Sequence, residues 1–156
     1  MFKKPEDMPL SVVILSVVGL LLFLFLALSI SLGTRVLALN AYLLLIQFGA
    51  LILTFVAAIQ WGFGLTAAAR QMSPPTWWFP TTLLPMILAW LALTIPEPIW
   101  KLLLLATGFA IAFLLDTISH SRGYAPPWYK RLRKFLTLGV LVSLTVALFA
   151  TQASLT

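Results

Sequence analysis

Apolar residues run in long blocks along this chain, and polar residues are confined to the gaps between them. Five blocks stand out, at about 10–32, 40–66, 77–95, 99–118 and 135–152. A helix needs about 20 apolar residues to cross the hydrocarbon core of a bilayer. The pattern therefore predicts an all-α integral membrane bundle of five transmembrane helices, in a single domain over residues 1–156. The first block, Leu10 to Leu32, is longer than the roughly 7–15 residues of a signal-peptide core and reads as an uncleaved helix.

The stretch from Asn40 to Leu65 organises the rest. It carries no charge, and Ala50, Thr54, Ala58 and Gly62 follow one another at steps of four. Such residues lie along one side of a helix. Small residues in a row let a second helix approach closely, so this row is expected to be the helix-packing face. Gln47 falls on the same side, with a hydrogen bond to another helix as its expected role. Gln60 points away from the row by helical angle and is expected near the interface, within reach of a lipid head group or a quinone. Asn40 is placed to cap the helix. Pro74-Pro75 marks a turn. Pro85 inside the third block removes a backbone hydrogen bond, which predicts a kink with Thr81 or Thr82 compensating. The fourth block repeats the small-residue spacing in Ala106 with Ala110 and in Gly108 with Ala112.

Composition sharpens the class. The chain is 62% hydrophobic and 9% charged, against about 25% charged in a typical soluble domain. Cysteine is absent, which excludes disulfides, thiolate metal sites and thiol catalysis. The net charge of +6 does not point to nucleic acid, because the basic residues flank the apolar blocks. With five helices, Lys3, Lys4, Arg70, Arg122, Lys130, Arg131, Arg133 and Lys134 fall on one side, and Arg35 and Lys101 on the other. The positive-inside rule then predicts a cytoplasmic N-terminus and an outer C-terminus. The expected location is the bacterial inner (cytoplasmic) membrane, spanned several times. The densest basic stretch, residues 119–134, reads as a loop between the last two helices.

Candidate chemistry is sparse. The chain has four acidic residues and one histidine. No zinc-protease motif, phosphate-binding glycine loop or paired carboxylates are present. No catalytic residue, metal or cofactor is expected. His120 is alone in the basic stretch. Asp116 lies near a helix end, at a depth where ionisable groups are costly and tend to be paired. Its expected partner is Arg70, Arg131 or Arg133, with a proton or head-group site as the functional alternative. Candidate ligand or partner contacts are Gln47, Gln60, Trp61, Gly62, Trp90, Asp116, Trp128, Tyr129 and Arg133. Most of the tryptophans read as interfacial anchors.

Several segments together resemble a known family. FGALILTFVAAIQWG (48–62), LPMILAWLAL (84–93), Asp116 and PPWYKRLRKFLT (126–137) are similar to domain-of-unknown-function family 3429, the transmembrane protein 69-like integral membrane proteins. The resemblance spans roughly residues 8–150. Its most specific part is Trp128, Tyr129, Leu132, Arg133, Leu136 and Thr137, followed by the Trp61-Gly62 pair. Two places depart from it. Ala57, Ala58 and Gln60 stand where the family often has glycines and a basic residue, and the first helix reads LLLFLF rather than carrying a Pro-Phe pair. The resemblance implies a five-helix membrane protein found in mitochondria and bacteria, and implies no reaction. A weaker similarity, to the tryptophan-rich sensory proteins, rests on PPTWWFP (74–80), which falls in the reverse order relative to WYKRL.

These observations favour a small non-enzymatic subunit, accessory to or assembling a larger energy-transducing membrane complex, with membrane lipids and other membrane subunits as partners. The alternative is a binder or carrier of a quinone, lipid or tetrapyrrole. Its cavity would lie between the second, third and fourth helices, lined by Trp61, Trp90 and Asp116.

Overall fold

The computed structural model describes residues 8–155, with side chains for residues 8–153. The described chain is all α. Helix α1 covers Leu10–Leu32, α2 Arg35–Ala69, α3 Trp78–Thr82, α4 Leu84–Thr94, α5 Pro98–Ser121 and α6 Pro127–Leu155. Four of these, α1, α2, α5 and α6, are long and apolar enough to cross a membrane. The third expected span is different: Trp78–Thr94 is a shorter apolar unit, broken at Leu83 between α3 and α4.

The break falls two residues before Pro85, where an interruption was expected. Leu83 N–H donates to the Pro80 carbonyl (3.2 Å) and Ile87 N–H to the Leu83 carbonyl (3.0 Å). Pro85 therefore sits in the first turn of α4, where its missing N–H costs little. Thr81 and Thr82 do not compensate for it. They donate to carbonyls of the preceding turn, Thr81 to Trp77 (3.0 Å) and Trp78 (2.8 Å), and Thr82 to Phe79 (2.8 Å).

Two boundaries also move. Helix α2 starts at Arg35 after a two-residue connection, so Asn40 lies inside it and caps nothing; Thr34 occupies the cap position. At 1.5 Å per residue its 35 residues reach about 52 Å, well beyond a hydrocarbon core of about 30 Å. Helix α6 starts at Pro127, with proline again at a favourable first position. The second half of the expected basic loop, Tyr129 to Lys134, is thus helical.

Helix α2 packs against α1, α3, α4 and α5, while α6 packs against α1 and α5. The core between them is leucine and phenylalanine: Leu45, Leu53, Leu105, Phe109 and Phe23 are essentially fully enclosed. Glycines set the closest approaches. A Cβ on Gly49 would lie 3.0 Å from Leu105 Cδ1, and one on Gly108 would collide with Leu53 Cδ2. Helices α2 and α5 therefore interlock reciprocally, each offering a glycine to the other's leucine. The expected spacing of Gly108 with Ala112 is met, since both are buried; Ala106 is half-buried and Ala110 faces outward.

Candidate functional site

The buried face of α2 runs through Leu53, Val56, Ala57, Gln60, Gly64 and Ala67. The buried face of α5 runs through Leu105, Gly108, Ala112, Leu115, Asp116 and Ser119. Both recur at spacings of three, four and seven residues, which keeps them in register with the 3.6-residue turn. Where these faces meet near one end of the bundle, apolar residues give way to polar ones.

Asp116 and Gln60 are completely enclosed. The Gln60 side-chain amide donates to Asp116 Oδ1, and its carbonyl oxygen accepts the Ser119 hydroxyl at 2.5 Å. Arg133 on α6 donates from Nε to Asp116 Oδ2 at 2.6 Å, with its side chain 8% exposed. Three helices are thereby tied by a chain running from Ser119 through Gln60 and Asp116 to Arg133. A buried charge must be paired, because removing it from water costs several kcal/mol per ion. Asp116 meets this demand with one cation and one amide.

Around this chain several buried polar atoms make no hydrogen bond: Arg133 Nη2, Tyr129 Oη, Thr137 Oγ1, His120 Nδ1 and Trp78 Nε1. Tyr129 lies beside Asp116 and packs edge-on against Phe63, with centroids 5.0 Å apart. Trp78 packs against Gly64, where a Cβ would lie 2.6 Å from its Nε1, and edge-on against Tyr124 at 5.5 Å. The connection after α5 folds back over its own end. Gly123, with φ +72°, ends the helix, and Tyr124 and Ala125 N–H donate to the Ser119 carbonyl.

Of the three arginines expected to pair with Asp116, the structure selects Arg133. His120, one turn after Asp116 on α5, has its Nδ1 buried without a hydrogen-bond partner. Gln60 requires a correction: it is not at the interface but at the centre of the cluster. Ser119 and Thr137 were missed as site residues. The signal for Thr137 was its position four residues after Arg133 and eight after Tyr129, on the buried face of α6.

The small-residue row on α2 turns away from the bundle's own core. Ala50 is buried, but Thr54, Ala58 and Gly62 face outward, and so does Gln47. A Cβ on Gly62 would meet nothing within 4 Å, and the same holds for Gly19. The Thr54 hydroxyl donates to its own helix, at the Ala50 carbonyl (2.9 Å). Steps of exactly four residues advance 400°, so each step drifts about 40° and the row has turned about 120° from the core by Gly62.

The remaining candidates are dispersed. Trp61 is 38% and Trp90 63% exposed; Trp128 is half-buried. A groove of about 610 Å³ lies between α2 and α4, lined among others by Ala50, Thr54, Phe55, Met86 and Trp90. Neither Asp116 nor Trp61 lines it; Asp116 is fully enclosed while Trp61 and Trp90 face outward, so this groove does not join the three residues. Lys3 and Lys4 of the orientation argument lie outside the described residues. Among the described residues, no group of three or more acidic or histidine side chains could hold a metal ion.

A family model described as "Protein of unknown function (DUF3429)" matches residues 8–149. Transmembrane protein 69 of Xenopus tropicalis is 31% identical over 107 residues, 66% of this chain and 40% of that protein. The chain thus aligns with well under half of that relative's length. No solved structure matches.

Proposed function

The chain belongs to the DUF3429 family, and on that premise we propose that this multi-pass membrane protein is a non-enzymatic accessory subunit of a larger membrane complex. The observation that carries the reading is the outward turn of Gln47, Thr54, Ala58 and Gly62 on α2. A primary amide facing hydrocarbon is costly unless another polar group meets it. Small residues beside it permit a close helix approach. The occupant that fits is a transmembrane helix of another protein, with a small-residue face and a hydrogen-bonding group opposite Gln47. The groove beside α4, walled by Trp90 and Met86, gives that helix a flank to pack on. An energy-transducing complex of the inner membrane is the class to test first, since the chain offers packing surface rather than reactive groups.

The same proposal includes topology. Arg70, Arg122, Lys130, Arg131, Arg133 and Lys134 sit at the end of the bundle where α2 and α5 finish and α6 begins. We read that end as cytoplasmic, with Trp78–Thr94 as a fifth, short crossing. A periplasmically active reporter should work at the C-terminus; activity only when fused at the N-terminus would reverse the orientation.

The functional test is purification from native membranes in mild detergent, with mass spectrometry of what accompanies the chain. The expected result is a stoichiometric membrane partner that Ala58→Leu and Gly62→Leu reduce at least tenfold. A chain that purifies alone, or as a dimer of itself, would sink the reading.

A further inference from the structure

We propose that the inward face of the first three turns of α6 binds a phosphate oxygen, presented at the basic end of the bundle by an acidic lipid head group or by free phosphate. This goes beyond the docking reading and does not rest on it.

Tyr129, Arg133 and Thr137 follow one another at steps of four and are 6%, 7% and 4% exposed. Arg133 spends only Nε on Asp116, at 2.6 Å, and its Nη2 is buried without a partner. Arginine most often meets carboxylates with two parallel N–H groups; here one side of the fork is left over. Thr137 is unusual in the same way. A hydroxyl inside a helix ordinarily donates to the carbonyl one turn back, as Thr54, Thr66, Thr117, Ser143, Thr145 and Thr151 do. The Thr137 hydroxyl is instead buried and unbonded, and the Tyr129 hydroxyl has no well-aligned partner, with only the Asp116 carboxylate beside it. A buried donor left unmatched costs more than a made bond contributes. Three such groups on one helix face therefore point to a bound acceptor.

The chemistry of the donors selects the ligand. A guanidinium N–H can only donate, so the ligand supplies an acceptor oxygen. Charge selects an anion. Among the described residues, Arg70, Arg122, Lys130, Arg131, Arg133 and Lys134 stand at this end against one carboxylate, Asp116, while Glu97 lies at the other end, before α5. Both Asp116 oxygens are covered, one by Gln60 and one by Arg133 Nε, which limits its repulsion of an incoming anion. Arg131 and Lys134 on the outward side of the same turns are exposed and draw anions toward Arg133. A phosphate has enough oxygens to meet Nη2 and both hydroxyls together.

The test uses the full chain in phosphatidylcholine nanodiscs. Binding of phosphatidylglycerol is read by native mass spectrometry and binding of inorganic phosphate by calorimetry. Tyr129→Phe and Thr137→Val keep the Asp116–Arg133 pair, so their melting temperatures report whether the fold is intact. Each is expected to weaken phosphate-oxygen binding about tenfold, the worth of one hydrogen bond to a charged group. Arg133→Lys, which keeps the charge but loses the fork, should weaken it at least as much. Phosphatidylglycerol that inorganic phosphate cannot displace identifies the head group as the source; binding of inorganic phosphate itself identifies the free ion. If both hydroxyl variants bind like the wild type, and only replacing Lys130, Arg131 and Lys134 with Gln reduces binding, attraction is to the surface charges and the proposal is overturned. Equal affinity for phosphatidylcholine and phosphatidylglycerol with no uptake of phosphate overturns it too.

Discussion

Gln47 and Gln60 lie on the same helix, thirteen residues apart, and meet opposite environments. Gln60 is fully enclosed, bonded to Asp116 and to Ser119. Gln47 faces outward. Two glycines beside Gln60 divide in the same way. Gly64 receives the Trp78 ring, while Gly62, two residues earlier, faces open space. Residue type is identical within each pair, so the difference comes from position around the helix alone. One side of α2 holds its own bundle, and the other faces away from it.

The largest effect should come from the inner side. Asp116→Ala leaves Arg133 buried and unpaired, and the bundle should lose about 3–5 kcal/mol of stability, measured by unfolding in detergent. Asp116→Leu combined with Arg133→Met should recover most of this. A double variant as unstable as the single one would show that the stranded charge is not the source of the cost.

The glutamines give the next contrast. Gln60→Leu removes a bond to a charged group and one to Ser119, with an expected loss of about 1.5–3 kcal/mol. Gln47→Leu should change stability by less than about 0.5 kcal/mol, as outward substitutions usually do, while reducing recovery of the partner. Similar losses for the two variants would erase the distinction between the faces.

The glycines carry the smallest expected loss, with opposite signs at the two positions. Gly64→Ala brings a methyl group to 2.6 Å from Trp78 Nε1 and should cost about 1–3 kcal/mol through overpacking. Gly62→Ala should stabilise the helix by up to about 1 kcal/mol. Melting curves that move the same way for both would count against the placement of Trp78.

Much of this was legible in advance. Long apolar blocks fix helices α1, α5 and most of α2 and α6, because few other structures satisfy the backbone inside a bilayer. The Asp116–Arg133 pair was within reach as well, since an acid at membrane depth needs a cation and few were near. The basic run misled: charges in residues 119–134 read as a loop, although Pro127 and the recurrence of Tyr129, Arg133 and Thr137 already marked a helix with an inner face. The row Ala50, Thr54, Ala58 and Gly62 starts at the edge of the core and turns out of it, since each step of four advances a further 40° around the helix, whereas Tyr129, Arg133 and Thr137 are centred on the core face and stay within it. The connection between α1 and α2 is only Gly33-Thr34, because Asn40, a cap by residue type, lies inside α2.

Hydrophobic length and charge position act locally, so the order of residues alone is enough to make this chain a helical membrane protein with its basic residues grouped at a few helix ends. Which face of α2 is inside, which arginine meets Asp116 and which hydroxyls stay unbonded are settled by packing. Those outcomes depend on how three helices rotate against one another, and interlocking pairs such as Gly49 with Leu105 and Gly108 with Leu53 set that rotation.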